Sequence, residues 1–493
     1  MKAKNRLIYI VVGFLLLELS IYPFKLPLLG TIALVPFFLL LEKREKPFLW
    51  PYLIGLLFFG VNLYFIVLVQ IKGYEKLALW LGFVLLTAYE SLFYGIWGWL
   101  YNKFQDTPYA LLVAPSLWIL VEFARSVTDI GFPWLNLWMT TIGDITMAGL
   151  ASIIGPYGIS WLLVFSSCLV YRFIKTRRWS YFAGYLLLLI AMHAGGKLSV
   201  ERQLPQANKT VRVAVLQPNV LPNTVYNPEE WGETVDSLNA LLDSIRDDSV
   251  DIIILSESAF PGFYRLSERV KSYVQDIVKS HRAYMLFGTA EFNPIHRKIY
   301  NSAFLVAPDG RIAGLYSKNH LVPFGEHLPF EDKIKFLQRI NLGQSNYSPG
   351  GSFNPLRFDD VRMGVMICFE SMFPEISRKE VRLGANLLVV MTNDGWFGRT
   401  TGPVLHYEHA RFRAIETGRY IVRSAKTGIS ALIAPDGSIV EELPLFKAGY
   451  FIADVPLYSH RTIYTKIGDV VVLLSLLSVA VCWLILRLTR RSG

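Results

Sequence analysis

The chain has 493 residues, of which 53% are hydrophobic and 18% charged, and a formal net charge of +10. So apolar a composition excludes an ordinary soluble protein. The positive charge does not point to nucleic acid either, because the basic residues fall in short clusters between apolar runs.

Uncharged apolar runs such as 8–17 and 470–479 mark helices that cross a bilayer, for which about 20 such residues are needed. Eight spans are expected, near 7–23, 26–41, 48–71, 77–101, 109–125, 145–173, 181–195 and 469–487, the first two short enough to form a hairpin. The basic clusters are Lys2, Lys4 and Arg6; Lys43, Arg44 and Lys46; Arg172 to Arg178; and Arg487 to Arg491. With the N-terminus inside, every cluster lies on the cytoplasmic side. Both termini are then cytoplasmic, and the polar segment lies outside, on the periplasmic face of a bacterial inner membrane. No small-residue cleavage site follows the first apolar run, so that run is expected to stay as an uncleaved span. The expected domains are 1–195 with seven spans, 196–464 as an extracytoplasmic catalytic domain, and 465–493 as a last span with a short cytoplasmic tail.

Within the polar segment, short apolar runs bounded by Gly, Pro, Asn or Asp predict strands at 211–216, 251–255, 284–288, 302–306, 363–367, 387–391 and 429–433. Helical patterns occupy 229–246, 267–281, 374–384 and 403–418. Pro308-Asp-Gly310 and Pro435-Asp-Gly437 each follow a strand and start a return strand. The pattern predicts an α/β sandwich of two similarly organised halves. In the last helix Pro403 suits the first turn and Gly418 the stop. Its His406 and His409 are three residues apart, but no third ligand accompanies them, so no metal is expected and solvated or packing histidines are the better reading.

Cys368 is the only cysteine of the polar segment; Cys168 and Cys482 lie in apolar stretches. A lone thiol outside the cytoplasm has no disulfide partner in its own domain. It can be a small core hydrophobe, or a nucleophile if a base or positive charge activates it. Glu257 and Lys318 follow other strand-like or hairpin segments, where α/β proteins gather their sites. A carboxylate there can move the thiol proton and an ammonium can hold an oxyanion.

Ser256-Glu-Ser258, Lys318-Asn-His-Leu-Val-Pro-Phe-Gly-Glu326, Gly364-Val-Met-Ile-Cys-Phe-Glu370 and Asn393-Asp-Gly-Trp-Phe-Gly398 resemble the nitrilase, or carbon–nitrogen hydrolase, superfamily. The membrane spans, Gly402-Pro-Val-Leu-His406 and Arg411-Phe-Arg-Ala-Ile-Glu416 extend the resemblance along nearly the whole chain, to the superfamily's membrane-embedded, lipoprotein-acylating branch. The resemblance implies a nitrilase-like αββα sandwich beside a polytopic α-helical membrane domain. It implies Glu257 as general base, Lys318 as oxyanion stabiliser and Cys368 as nucleophile, with Glu326, Phe369 and Glu370 in support. Substrate contacts are carried over to Tyr226, Trp396 and His406. Five positions depart from the family pattern: Leu255-Ser256 replaces Trp-Pro, Phe369 replaces Tyr, Tyr226 replaces Trp and Lys426 replaces Asn.

The implied reaction is transfer of an acyl chain from a phospholipid, through a Cys368 thioester, to the N-terminal α-amine of S-diacylglyceryl-cysteine in an apolipoprotein. The expected partners are that acyl donor, that acceptor and membrane lipid; no cofactor and no nucleic acid are expected. One rival is a membrane-anchored nitrilase-type amidase that passes the acyl group to water. Another is a transporter or catalytically inactive lipid-binding protein, for which Glu90 and Glu122, in or near spans, would be the intramembrane charges. The segment 331–350, with Phe336, Leu337, Ile340 and Leu342 among glycines, is either an arm over the site that dips toward lipid or an ordinary surface helix and loop.

Overall fold

A computed structural model describes residues 3–69, 75–202, 207, 209–221, 231–331, 333, 334, 336 and 346–491. The chain divides into two compact units, 1–202 with 466–493, and 203–465.

The first unit is helical. Among the described residues, five helices are long and apolar enough to cross a membrane: Leu49–Leu68, Lys76–Tyr101, Ala151–Thr176, Trp179–Glu201 and Val470–Thr489. Pro27–Leu41 and Ala110–Ala124 are apolar but shorter, and Ala3–Ser20 carries Lys4, Arg6 and Glu18. The expected count of eight therefore rests on three helices that do not meet the length and apolarity of a span by themselves. The run at 145–173 is divided. Asp144 caps a single turn, Ile145–Ala148, accepting from the Thr146 and Met147 amides at 2.9 and 3.3 Å. The long helix then starts at Ala151 and is interrupted where Gly155 takes φ +70° before Pro156.

Glu90 and Glu122 are fully buried in this unit. Glu90 Oε2 lies 2.6 Å from Arg125 Nε, and Glu122 Oε1 accepts from Trp118 Nε1 at 2.9 Å and the Leu137 amide at 2.6 Å. Such partners are what an intramembrane carboxylate needs to remain in place. They tie the connection from Arg125 to Leu137 to its neighbouring helices.

The described residues of the second unit form twelve strands: β1 (Thr210–Gln217), β2 (Ile252–Ile254), β3 (Tyr284–Asn293), β4 (Lys298–Val306), β5 (Ile312–Ser317), β6 (Leu356–Phe358), β7 (Val361–Ile367), β8 (Leu387–Thr392), β9 (Ile421–Ala425), β10 (Ser430–Ile433), β11 (Ile439–Leu443) and β12 (Gly449–Pro456). They form two six-stranded sheets, ordered β12-β1-β2-β3-β4-β5 and β6-β7-β8-β9-β10-β11. Each sheet has three parallel strands, an antiparallel edge strand on one side and an antiparallel pair on the other. The two halves thus repeat one plan, and both Pro-Asp-Gly turns make the expected hairpins. The seven strands read from the sequence all form. The strands β6, β9 and β12 were not among those expected. The first is too short to show a period, the buried Arg423 interrupts the second, and the third is an edge strand paired to β1 from far along the chain.

Alternation along the strands divides the core in two. Val213, Val215, Ile252 and Ile254 meet Val365, Ile367, Val389 and Met391 between the sheets. Their neighbours Ala214, Leu216 and Ile253 pack outward against Leu238, Leu242, Val274 and Ile277 of the helices Trp231–Ser244 and Glu268–His281. On the second sheet lie Pro374–Arg382 and Gly402–Thr417. The latter helix is buried nearly all round, with Pro403 in its first turn and Gly418 at φ +65° as its cap. Tyr226 and most of 331–350 lie outside the described residues.

Candidate active site

The candidate residues lie just beyond strand ends. Glu257 follows β2 after two residues, while Lys318 directly follows β5 and Cys368 directly follows β7. At the end of a buried strand a side chain leaves the sheet where backbone pairing stops, so polar groups can gather without breaking the ladder. Cys368 takes φ +52°, a left-handed conformation that costs a residue with a Cβ about 1 kcal/mol. It is partly exposed, whereas Lys318 and Glu257 are 1% and 7% exposed.

Lys318 lies between two carboxylates. Its Nζ donates to Glu326 Oε1 at 2.9 Å and stands 3.9 Å from Glu257 Oε1. Asn301 Nδ2 bridges the same pair, donating to Glu257 at 2.7 Å and Glu326 at 3.0 Å. The Asn393 amide donates to Glu257 Oε2 at 3.0 Å, and the Val322 amide to Glu326 Oε2 at 2.8 Å. Burial pushes the Glu257 carboxyl above its ordinary range; Lys318 pulls it back and Glu326 adds to the rise. Burial works against the Lys318 ammonium, yet Glu326 and Glu257 hold its pKa above the usual lysine value. Burial and Glu257 push the Cys368 thiol up, against Lys318. The resting site therefore holds a neutral thiol beside a carboxylate of raised basicity. Moving the proton from sulfur to Glu257 leaves the charge of the cluster unchanged, so no new net charge is buried.

Glu370 joins the lysine loop to the nucleophile. It accepts from the Tyr316 hydroxyl at 2.9 Å, the Asn319 amide at 2.7 Å, the His320 amide at 3.2 Å and the Ile367 amide at 2.8 Å. Burial nevertheless pushes its pKa up to about 7. Phe369 has no hydroxyl to donate; it packs with Phe373 and with His320 of the lysine loop, at ring separations of 5.1 and 5.8 Å.

A second network lies beneath the nucleophile. His406 is 1% exposed, with Nδ1 2.8 Å from Asp394 Oδ1 and Nε2 3.0 Å from both the Cys368 carbonyl oxygen and Ser371 Oγ. Arg423 Nη2 donates to Asp394 Oδ2 at 2.5 Å. Despite burial, Arg423 and His406 lower the Asp394 pKa to about 2. His406, carried over as a substrate contact, thus supports the Cys368 peptide from within the protein. Trp396 sits in the turn after β8 and is 38% exposed. His409 is fully buried, and among the described residues no group of His, Cys, Asp and Glu is arranged to hold a metal.

Sequence reasoning gave no role to Asn301, Tyr316, Ser371 or Arg423. Asn301 stands at the edge of an expected strand and Arg423 within one that was not expected; no local pattern marks either. Asn393 and Asp394 lie in a motif quoted above, but the partner of Asn393 comes from the opposite sheet, and those of Asp394 from the following helix and from β9.

A cysteine, a lysine and glutamates at strand ends of an αββα sandwich define a carbon–nitrogen hydrolase. The family model for carbon-nitrogen hydrolase matches residues 212–464, and that for the apolipoprotein N-acyltransferase N-terminal domain matches residues 13–169. An apolipoprotein N-acyltransferase of Geobacter metallireducens is 30% identical, over 93% of this chain and 91% of that relative. One of Vibrio parahaemolyticus is 31% identical over 87% of each. Among solved structures, Saccharomyces cerevisiae Nit3, a nitrilase-superfamily member, is similar at 17% identity and a TM-score of 0.40, covering 51% of this chain and 91% of that one. The chain belongs to the apolipoprotein N-acyltransferase family. It is an acyltransferase of lipoprotein maturation and a membrane protein, with a lipid donor and a lipoprotein acceptor.

Proposed function

We propose that Cys368, Glu257 and Lys318 carry out this transfer as a two-step exchange, from a phospholipid to the α-amine of an S-diacylglyceryl-cysteine. Glu257 takes the thiol proton and the Cys368 sulfur attacks an ester carbonyl of the phospholipid. The oxyanion forms beside the Lys318 ammonium. Collapse expels the lysophospholipid oxygen, which leaves with the proton from Glu257, and the acyl group remains as a thioester. The acceptor amine then attacks that thioester and gives its proton to Glu257. Collapse breaks the C–S bond, releases an amide and returns the proton to the thiol. The thioester divides one difficult transfer into two easier ones.

The observation that carries the proposal is the placement of Lys318 Nζ, 2.9 Å from Glu326 and 3.9 Å from Glu257, with the Cys368 thiol responding electrostatically to both Glu257 and Lys318. Glu326 anchors the lysine, and Glu370 and Phe369 hold its loop against the nucleophile turn. Trp396 and Tyr226 serve the substrates. Both substrates carry acyl chains, each buried methylene contributing about 0.8 kcal/mol of membrane affinity, so an enzyme anchored in the bilayer meets them without extracting them. The catalytic unit faces the periplasm and both termini face the cytoplasm, as the clusters of lysine and arginine support.

Incubating the purified protein with phosphatidylethanolamine vesicles should give an acyl adduct on Cys368 by intact mass, absent in Cys368→Ala. A diacylglyceryl peptide should then discharge it as an amide. No adduct, or an undiminished one in Cys368→Ala, overturns the mechanism; discharge by water as fast as by peptide favours a hydrolase.

A further inference from the structure

The steps above leave one buried amine unused. Lys426 directly follows β9, is 1% exposed, and donates from Nζ to the carbonyl oxygen of Ser258 at 2.9 Å. Ser258 is the residue after Glu257 and takes φ +51°. The residues on either side of Glu257 and Ser258 are tied to β3: the Gly288 amide donates to Ser256 O at 3.1 Å, and the Ala259 amide to Gly288 O at 2.8 Å. The Ser258 carbonyl is instead taken by the lysine of the opposite sheet.

Lys426 is itself firmly held. Its amide donates to Thr392 O at 3.1 Å and its carbonyl accepts from the Asn219 amide at 3.0 Å. Asn393, the residue after Thr392, gives its amide to Glu257 Oε2. Adjacent strand ends of the second sheet therefore reach the Glu257 turn at two points, one on the carboxylate and one on the backbone beneath it.

We propose that Lys426 is a positioning residue, holding the Glu257–Ser258 turn from across the sandwich and so directing the Glu257 carboxylate toward the Cys368 thiol. Among the described residues no carboxylate pairs with this amine, and burial lowers its pKa to about 7. Burying an amine without a counter-charge is unfavourable. A methionine would fill a similar space without that cost, so what the lysine adds is the hydrogen bond to Ser258. Lys426 acts through Glu257, and the inference rests on Glu257 being the base.

The test uses the full chain in detergent micelles with phosphatidylethanolamine as the probe, reading single-turnover acyl loading of Cys368 by intact mass, so that no acceptor is required. Glu257→Gln should slow loading at pH 7, because nothing then takes the thiol proton and returns it to the leaving oxygen. Lys426→Met should slow it by about ten- to a hundredfold, the range expected when a reacting group is misplaced by up to an ångström. Lys426→Gln, which keeps a donor, should recover most of that loss. The double variant Glu257→Gln/Lys426→Met should be no slower than Glu257→Gln alone, because a residue acting through Glu257 has nothing left to position. If Glu257→Gln loads at the wild-type rate, the assignment of the base fails and this inference fails with it. If Glu257→Gln is slow but Lys426→Met is not, the inference alone fails. It is also overturned if the glutamine is as slow as the methionine, or if the two losses multiply in the double variant. Thermal midpoints identify a variant that does not fold; should the methionine be one, a folded glutamine variant at the wild-type rate supports the proposal and a slow one overturns it.

Discussion

At Glu326 one carboxylate does two things whose effects on rate oppose each other. It anchors the Lys318 ammonium at 2.9 Å, and its charge raises the Glu257 pKa. Glu326→Gln weakens the anchor and removes that charge, so Glu257 ionises at lower pH. The expected outcome is a lower rate of acyl loading on Cys368, by about tenfold or more, with the acidic limb of its pH profile moved to lower pH. Single-turnover loading followed by intact mass across pH checks both; an acidic limb moved upward would contradict the placement of Glu326 beside Glu257. Phe369 gives a contrasting case. Its ring packs on Phe373 and His320, so Phe369→Leu should cost activity through a loosened lysine loop, and Phe369→Tyr should leave most of it.

Strand β3 passes the Glu257 turn so closely that a Cβ on Gly288 would lie 2.7 Å from Glu257 Cα and 3.0 Å from the Ser258 nitrogen. Neither is the end of a flexible side chain, so the backbone must move. Gly288→Ala should destabilise the protein by about 1–3 kcal/mol, as overpacking does, and should reduce acyl loading more than its thermal midpoint alone would suggest. At the end of β8, Asp394 holds Arg423 and His406 together. Its folded pKa, about 2, is depressed below the unfolded value near 3.8, so its stabilisation is present above the unfolded value and lost as pH falls through about 2. Asp394→Asn should cost roughly 3 kcal/mol at pH 7, since a buried guanidinium loses its charged partner. Thermal melts at several pH values should show wild type and variant converging as the medium is acidified from pH 5 toward pH 2.

For the whole molecule, chemistry and membrane embedding lie in separate compact units of one chain. The proposed orientation is open to direct test. Cysteines introduced at Asp309, in the exposed β4–β5 turn, and at Arg177, in an exposed basic connection between helices, should respond oppositely to a membrane-impermeant maleimide. On cells with a permeabilised outer membrane and in a Cys368→Ala background, Asp309→Cys should label and Arg177→Cys should not; the reverse pattern would put the catalytic unit in the cytoplasm.

Apolar run length, basic clusters and the alternation of short strands depend on neighbours close in sequence, and they made the membrane helices, the sandwich and both Pro-Asp-Gly hairpins legible from the chain alone. Glu257, Lys318 and Cys368 were legible because each follows its own strand or hairpin in a recognisable local motif. The groups that aim them were not. Asn301 reaches Glu257 and Glu326 across sequence separations of 44 and 25 residues, His406 reaches the Cys368 carbonyl across 38, and Lys426 reaches Ser258 across 168. No periodicity marks such residues, because a buried polar side chain is satisfied by whatever donor or acceptor the packing of two sheets brings opposite it. Sequence alone determined what kind of protein this is and singled out the groups proposed to react; only the stacking of the two sheets decided how those groups are held.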